Sequence, residues 1–138
     1  MLEETIQFSG HPAIRALHRT TLEITMENHL TENGDCIIGV RASKACNQID
    51  ADFRKKLMAK SQIKISVEVR NRIFSIRAFG SPHLTLTDSK EIVIRKSAFS
   101  SPRTLAVNSD RAAFDLPRVM VEDLRDPACR GKLRIIIE

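Results

Sequence analysis

Three short polar stretches carry residue types that do chemistry: Gly10-His11-Pro12, His18-Arg19-Thr20-Thr21 and Gly34-Asp35-Cys36. Two imidazoles and a carboxylate, His11, His18 and Asp35, are the groups of a divalent-metal site or of acid–base work. Their spacing argues the other way. His11 and His18 are seven positions apart, not the i, i+4 pair of a metal-binding helix. If Thr20–Met26 is a strand, His18 leads the face of Thr20, Leu22, Ile24 and Met26. That is the place of a histidine satisfied by hydrogen bonds at the edge of a core. No metal is therefore expected, and His11, His18 and Asp35 are the candidates should one bind.

A second group, Arg95, Lys96, Ser97, Arg103 and Thr104, flanks a loop over Ser97–Ser101 closed by Pro102. Arginine offers phosphate a bidentate fork, and hydroxyls and backbone N–H groups complete a cradle. Loops on a sheet scaffold often carry binding sites. Arg19, Thr20 and Thr21 would join this group if their strand lies next to that of Arg95. A third candidate is Cys36 as a nucleophile beside Asp35. No local signature supports it, and parity with Ile38 and Val40 predicts a buried thiol. The five glycines form no phosphate-binding loop.

These groups must be positioned by a chain of 138 residues, 42% of them hydrophobic. That length predicts one domain over 1–138 with a sizeable core. No apolar run approaches the roughly 20 residues of a membrane span. The acidic start Met1-Leu2-Glu3-Glu4 lacks the apolar block of a signal peptide. A soluble cytoplasmic protein without a membrane partner is expected. Cys36, Cys46 and Cys129 include no Cys-x-x-Cys pair, so a disulfide framework or zinc ribbon is not expected.

The net charge of +5 is uneven. Residues 54–103 carry 12 Lys/Arg against 3 Asp/Glu. A basic middle favours anionic partners such as nucleic acid or phosphorylated metabolites. Aromatic content weighs against base stacking: Trp and Tyr are absent, and most of the six Phe read as buried.

Strict alternation places Ile63, Ile65, Val67 and Val69 on one face of a strand over Gln62–Arg70. A turn at Asn71-Arg72, with Asn71 accepting positive φ, leads into Ile73–Phe79 as a hairpin. Thr5–Ser9, Thr20–Met26, Cys36–Val40, Glu91–Arg95 and Lys132–Ile137 complete about seven strands. Asp50 caps a helix over Ala51–Lys60 that buries Phe53 and Leu57. Asp115 caps a second, opened by Pro117, that buries Met120, Val121 and Leu124. A further helical turn falls near Ser109–Phe114. Strands that do not alternate with helices favour a mainly β (α+β) antiparallel sandwich or barrel. No long repeat is visible. Gly10-x-Pro12-x-Ile14 and Gly80-x-Pro82-x-Leu84 read as similar turns at one rim.

Gly10-His11-Pro12, His18-Arg19-Thr20-Thr21-Leu22-Glu23, Gly34-Asp35-Cys36-Ile37-Ile38-Gly39-Val40, Ile94-Arg95-Lys96-Ser97, Arg103-Thr104-Leu105-Ala106 and Asp110-Arg111-Ala112-Ala113-Phe114-Asp115-Leu116 occur in this order. With these motifs the chain resembles, nearly end to end, the archaeal family known as domain of unknown function 371. The resemblance implies an archaeal cytoplasmic protein of mainly β, jelly-roll-like architecture. It implies no activity. Gly80-Ser81-Pro82-His83 departs from the second Gly-His-Pro-like element expected there.

The leading functional reading is a binding module for an anionic ligand, RNA or a phosphorylated small molecule, held by Arg95, Lys96, Arg103 and Arg19. The alternative is a metal-assisted hydrolase or other small-molecule enzyme using His11, His18 and Asp35. No cofactor is implied. His11, Asp35 and one of residues 80–83 are expected to line one end of the sheets, beside Arg19, Thr20 and Thr21.

Overall fold

The structure is a computed structural model that describes residues 1–30 and 34–138. Among the described residues eight strands form two four-stranded sheets, joined by two short α-helices, in a mainly β (α+β) fold. The first sheet has the order β1 (Leu2–Ser9), β8 (Arg130–Ile137), β4 (Gln62–Val69), β5 (Arg72–Phe79), and each neighbour is antiparallel. The second has the order β3 (Ile37–Gly39), β2 (Thr21–Thr25), β6 (Glu91–Arg95), β7 (Thr104–Ala106). Its central pair is antiparallel, but β2–β3 and β6–β7 run parallel. The expectation of antiparallel pairing throughout is corrected there. Isolated bridges Ser9–Val40 and Phe79–Val107 join the edges of the two sheets.

Period-two patterning does what the sequence predicts. Ile63, Ile65, Val67 and Val69 point inward, as do Leu133, Ile135 and Ile137. Leu22, Ile24, Ile92 and Ile94 meet them from the second sheet in one shared core. Each such side chain contributes roughly 1.5–3 kcal/mol. Helix α1 (Ala51–Leu57) is capped by Asp50 and buries Phe53 and Leu57; it ends three residues before Lys60. Seven residues are too few to hold a helix alone, so that burial holds it. In α2 (Arg118–Leu124) Pro117 occupies the cap. Asp115 instead accepts the Ala112 N–H and closes a 3-10 turn over Ala113–Asp115. The hairpin turn uses Arg70 and Asn71, and Arg70 rather than Asn71 takes the positive φ.

The absence of a long repeat is also corrected. The order β1-β2-β3-turn-α1-β4 recurs as β5-β6-β7-turn-α2-β8. Matching hydrogen bonds confirm the correspondence. The Ala42 N–H donates to the Thr25 carbonyl as Ser109 does to Arg95, and Ile37 donates to Gly34 as Thr104 does to Ser101. Even strained positions recur: Ala16 and Leu86 have φ 52° and 53°, Arg41 and Asn108 have 53° and 52°. Non-glycine residues there cost of order 1–3 kcal/mol each and need the fold to impose them. A pseudo-twofold axis therefore runs between β4 and β8 and between β2 and β6. It puts the ends of β1 and β5 at opposite ends of the first sheet. The two Gly-x-Pro turns consequently do not share a rim.

Candidate functional site

The outer face of the second sheet gathers a buried glutamate, a second glutamate, an arginine and a thiol. In the β2–β6 pair Glu23 lies opposite Val93, on the pseudo-twofold axis. Cys36 and Arg103, equivalent residues in the two repeats, approach it from either side. Arg103 donates to the Glu23 carboxyl at 3.2 Å and to Glu91 at 2.8 Å. The Cys36 thiol donates to the same Glu23 oxygen at 3.5 Å. The Glu23 side chain is only 3% exposed. Burial, reinforced by Glu91, pushes its acid up to about 8. At neutral pH Glu23 is thus a carboxylic acid, held beside Glu91 under a single guanidinium, a raised pKa of the kind that acid–base sites use. Burial and Glu23 push the Cys36 thiol up to about 11, so it stays a protonated donor and a poor nucleophile. Contrary to its strand parity, Cys36 is only half-buried; Cys46 and Cys129 are the buried free thiols.

Beside Glu23 lies a cavity of about 270 Å³, lined by Thr25, Glu27, Gly34, Cys36, Glu91 and Arg103 among others. At the opposite end of the β2–β6 pair the face turns basic and aromatic. Thr21 pairs with Arg95, and the Lys96 N–H donates to the Thr20 carbonyl. The Arg95 guanidinium donates to Thr104 at 2.9 Å and Ser101 at 3.3 Å, and lies 5.0 Å from the centre of the Phe99 ring. Arg19 lies 4.3 Å from the Phe114 ring. Lys96 stands 3.4 Å from Asp115, whose carboxyl is held below the usual range by the Ala112 N–H and by Lys96. Phe99 and Phe114 are 60% and 42% exposed, and Phe79 joins them, so half of the six Phe are at the surface. The reading that most of them are buried is corrected.

The structure therefore brings Arg19, Thr20 and Thr21 together with Arg95, Lys96, Ser97 and Thr104. It turns Arg103 away, into the two glutamates. Ser97 Oγ accepts the Phe99 N–H within its own loop. His11 and His18 serve as turn caps. His11 Nδ1 accepts the Ala13 N–H, and His18 Nδ1 accepts those of Thr20 and Thr21. The equivalent caps in the second repeat are Ser81 and Asp88. His18 is exposed, not at the edge of the core. The Asp35 carbonyl accepts the Leu17 and His18 amides, and its carboxylate pairs with Arg15. His11 donates its amide to Leu124 at the end of α2 and makes no described contact with Asp35. Among the described residues no three His, Cys, Asp or Glu side chains stand close enough to hold a metal ion.

Sequence reasoning missed Glu23, Glu91, Phe99 and Phe114. One signal was available: Glu23 is the sole charge inside Thr-Leu-Glu-Ile-Thr, a strand otherwise built of β-branched and apolar residues.

The family described as domain of unknown function 371 matches residues 6–138. The chain belongs to this family. A protein of the archaeon Methanocaldococcus jannaschii, described as uncharacterized, is 38% identical over 125 residues, which span 91% of this chain and 93% of the relative. Among the described residues no helix is long and apolar enough to cross a membrane.

Proposed function

We propose that the chain is a cytoplasmic, single-domain binding module for an anionic ligand, single-stranded RNA ahead of a phosphorylated small molecule. The ligand lies across the Thr21/Arg95 end of the second sheet. One observation carries this reading: two exposed phenylalanines, Phe99 and Phe114, each stand beside an arginine at the same end of one strand pair. Exposed rings with flanking guanidinium groups are what single-strand binders use to stack bases while neutralising phosphates. Among the described residues the hydrogen bonds of the Arg95 guanidinium go to neutral hydroxyls, so no bonded carboxylate cancels its charge. Lys96 shares its charge with an exposed Asp115, a pairing worth little in water. Arg103 contributes nothing here, because two carboxyl groups already hold it.

Fluorescence anisotropy with a labelled pyrimidine-rich RNA tests the reading. If Arg19, Arg95 and Lys96 each neutralise one phosphate, log affinity falls with log salt at a slope of roughly −2. Replacing Arg19 by Ala lowers that slope by about 0.7. Nucleoside monophosphates that compete through Arg19 but ignore Phe99→Ala would point to the small-molecule version. No binding at low salt, or binding indifferent to Phe99, Phe114 and Arg19 together, contradicts the proposal.

A further inference from the structure

The two repeats share strand pairing and equivalent hydrogen bonds at the ends of the β2–β6 pair, the first with a connection three residues longer, and their described residues fill these ends differently. In the second repeat the space is occupied by the Arg95 guanidinium, which donates to Thr104 and Ser101 and lies against Phe99. The equivalent positions in the first repeat are Thr25, Ile37, Gly34 and His29. Thr25 is too short to reach across, and Gly34 offers no side chain. Among the described residues, what lies there is the cavity of about 270 Å³. It has room for roughly nine waters' worth of volume.

We infer that this cavity binds the guanidinium or primary alkylammonium group of a small organic cation, seated where the second repeat seats its own Arg95 and facing Glu23, Glu91 and Glu27. The internal repeat supplies the template for the cation, and the walls supply the countercharge. Three carboxyl groups meet two cations there: Arg103 serves Glu23 and Glu91, and Lys90 stands 3.2 Å from Glu27. Among the described residues this set is neutral only while Glu23 keeps its proton. A bound cation takes over that role, so Glu23 ionises as the ligand enters and one proton leaves for solvent. The groups facing Glu23 are Glu91 and Arg95 on β6, Arg103 before β7 and Cys36 before β3. Glu27 and His29 also line the cavity. Arg95 and Arg103 favour ionised Glu23, whereas burial and Glu91 oppose it.

Calorimetric titration of the full chain with n-butylguanidinium tests this. The expected result is binding that tightens about tenfold or more from pH 6 to pH 9, as a charge-assisted hydrogen bond replaces a protonated acid. Repeating it in buffers of different ionisation enthalpy should give about one proton released per ligand at pH 7. The neutral analogue n-butylurea should not bind. Glu23→Gln should weaken binding and remove its pH dependence. Thr25→Arg, which copies the second repeat, should fill the cavity from within and abolish binding while melting no lower than the parent. A pentapeptide Gly-Gly-Arg-Gly-Gly distinguishes the source: if it binds and free butylguanidinium does not, the occupant is a protein side chain, and the chemistry stands. If neither binds at millimolar concentration at pH 9, or if n-butylurea binds equally well, the inference is overturned. Binding undiminished in both Glu23→Gln and Thr25→Arg overturns it as well.

Discussion

At one end of the β2–β6 pair Arg95 lies folded against Ser101, Thr104 and Phe99. At the other, Thr25, Gly34, Ile37 and His29 surround open space walled by glutamates. The carbonyls that receive the Ala42 and Ser109 amides are equivalent at both ends, although the first repeat's β2–β3 connection is three residues longer. The side chains are not. Where the second repeat has Arg103, the first has Cys36; where the second has Val93, the first has Glu23. Duplicating a frame copies its hydrogen bonds and leaves its surface free to change. One end became basic and aromatic, the other acidic and hollow.

The frame can be broken most severely at its glycines. A Cβ on Gly10 would overlap the carbonyl oxygens of Leu124 and Asp126, and one on Gly80 that of Leu57. Each contact seats the end of one helix against the strand of the other repeat. Gly10→Ala and Gly80→Ala should therefore destabilise alike, by about 3 kcal/mol each, in urea unfolding. A large cost at one glycine and none at the other would break the equivalence of the repeats.

Glu23 gives the next largest effect, through pH. Its acid ordinarily titrates near 4.5 and is pushed up to about 8 in the fold. Between these values the unfolded chain has lost the proton and the folded chain keeps it. Stability from this group is then full below pH 4.5 and is lost as pH rises through 8. Thermal melts of the parent should fall relative to those of Glu23→Gln as pH rises from about 5 to 8.5. Parallel curves would mean that Glu23 is an ordinary carboxylate. At the basic end, Phe99→Ala and Phe114→Ala should each weaken RNA binding by about 1–3 kcal/mol, whereas Glu23→Gln should leave it nearly unchanged. The smallest effects belong to the turn caps. Asp88→Ala and His18→Ala should each cost about 1 kcal/mol, and His18→Asp, which installs the second repeat's cap, should recover the loss in the first.

The strands of the first sheet were legible because Ile63, Ile65, Val67 and Val69 alternate without interruption, and α1 because Asp50 precedes Phe53 and Leu57 at helical spacing. The strand Thr104–Ala106 was not, since three residues after a proline carry no period. The repeat was hidden for a chemical reason. Its equivalent positions keep a hydrogen-bonding role and change the residue that performs it: His18 for Asp88, His11 for Ser81, Gln48 for Asp115, Ser43 for Asp110. The basic end was half legible, because Arg95 and Lys96 stand out in the sequence and their β2 neighbours follow from one strand pairing. The acidic end was not, because Glu23, Cys36, Glu91 and Arg103 meet only once β2, β3, β6 and β7 are ordered side by side.

A titration of the glutamate side-chain carboxyl carbons by NMR, assigned with Glu23→Gln and Glu91→Gln, examines the axial pair itself. The account predicts that the Glu23 resonance stays that of a protonated acid at pH 6.5 and moves with a midpoint near 8. A Glu23 resonance already that of a carboxylate at pH 6.5, with its midpoint in the ordinary range near 4.5, would contradict it.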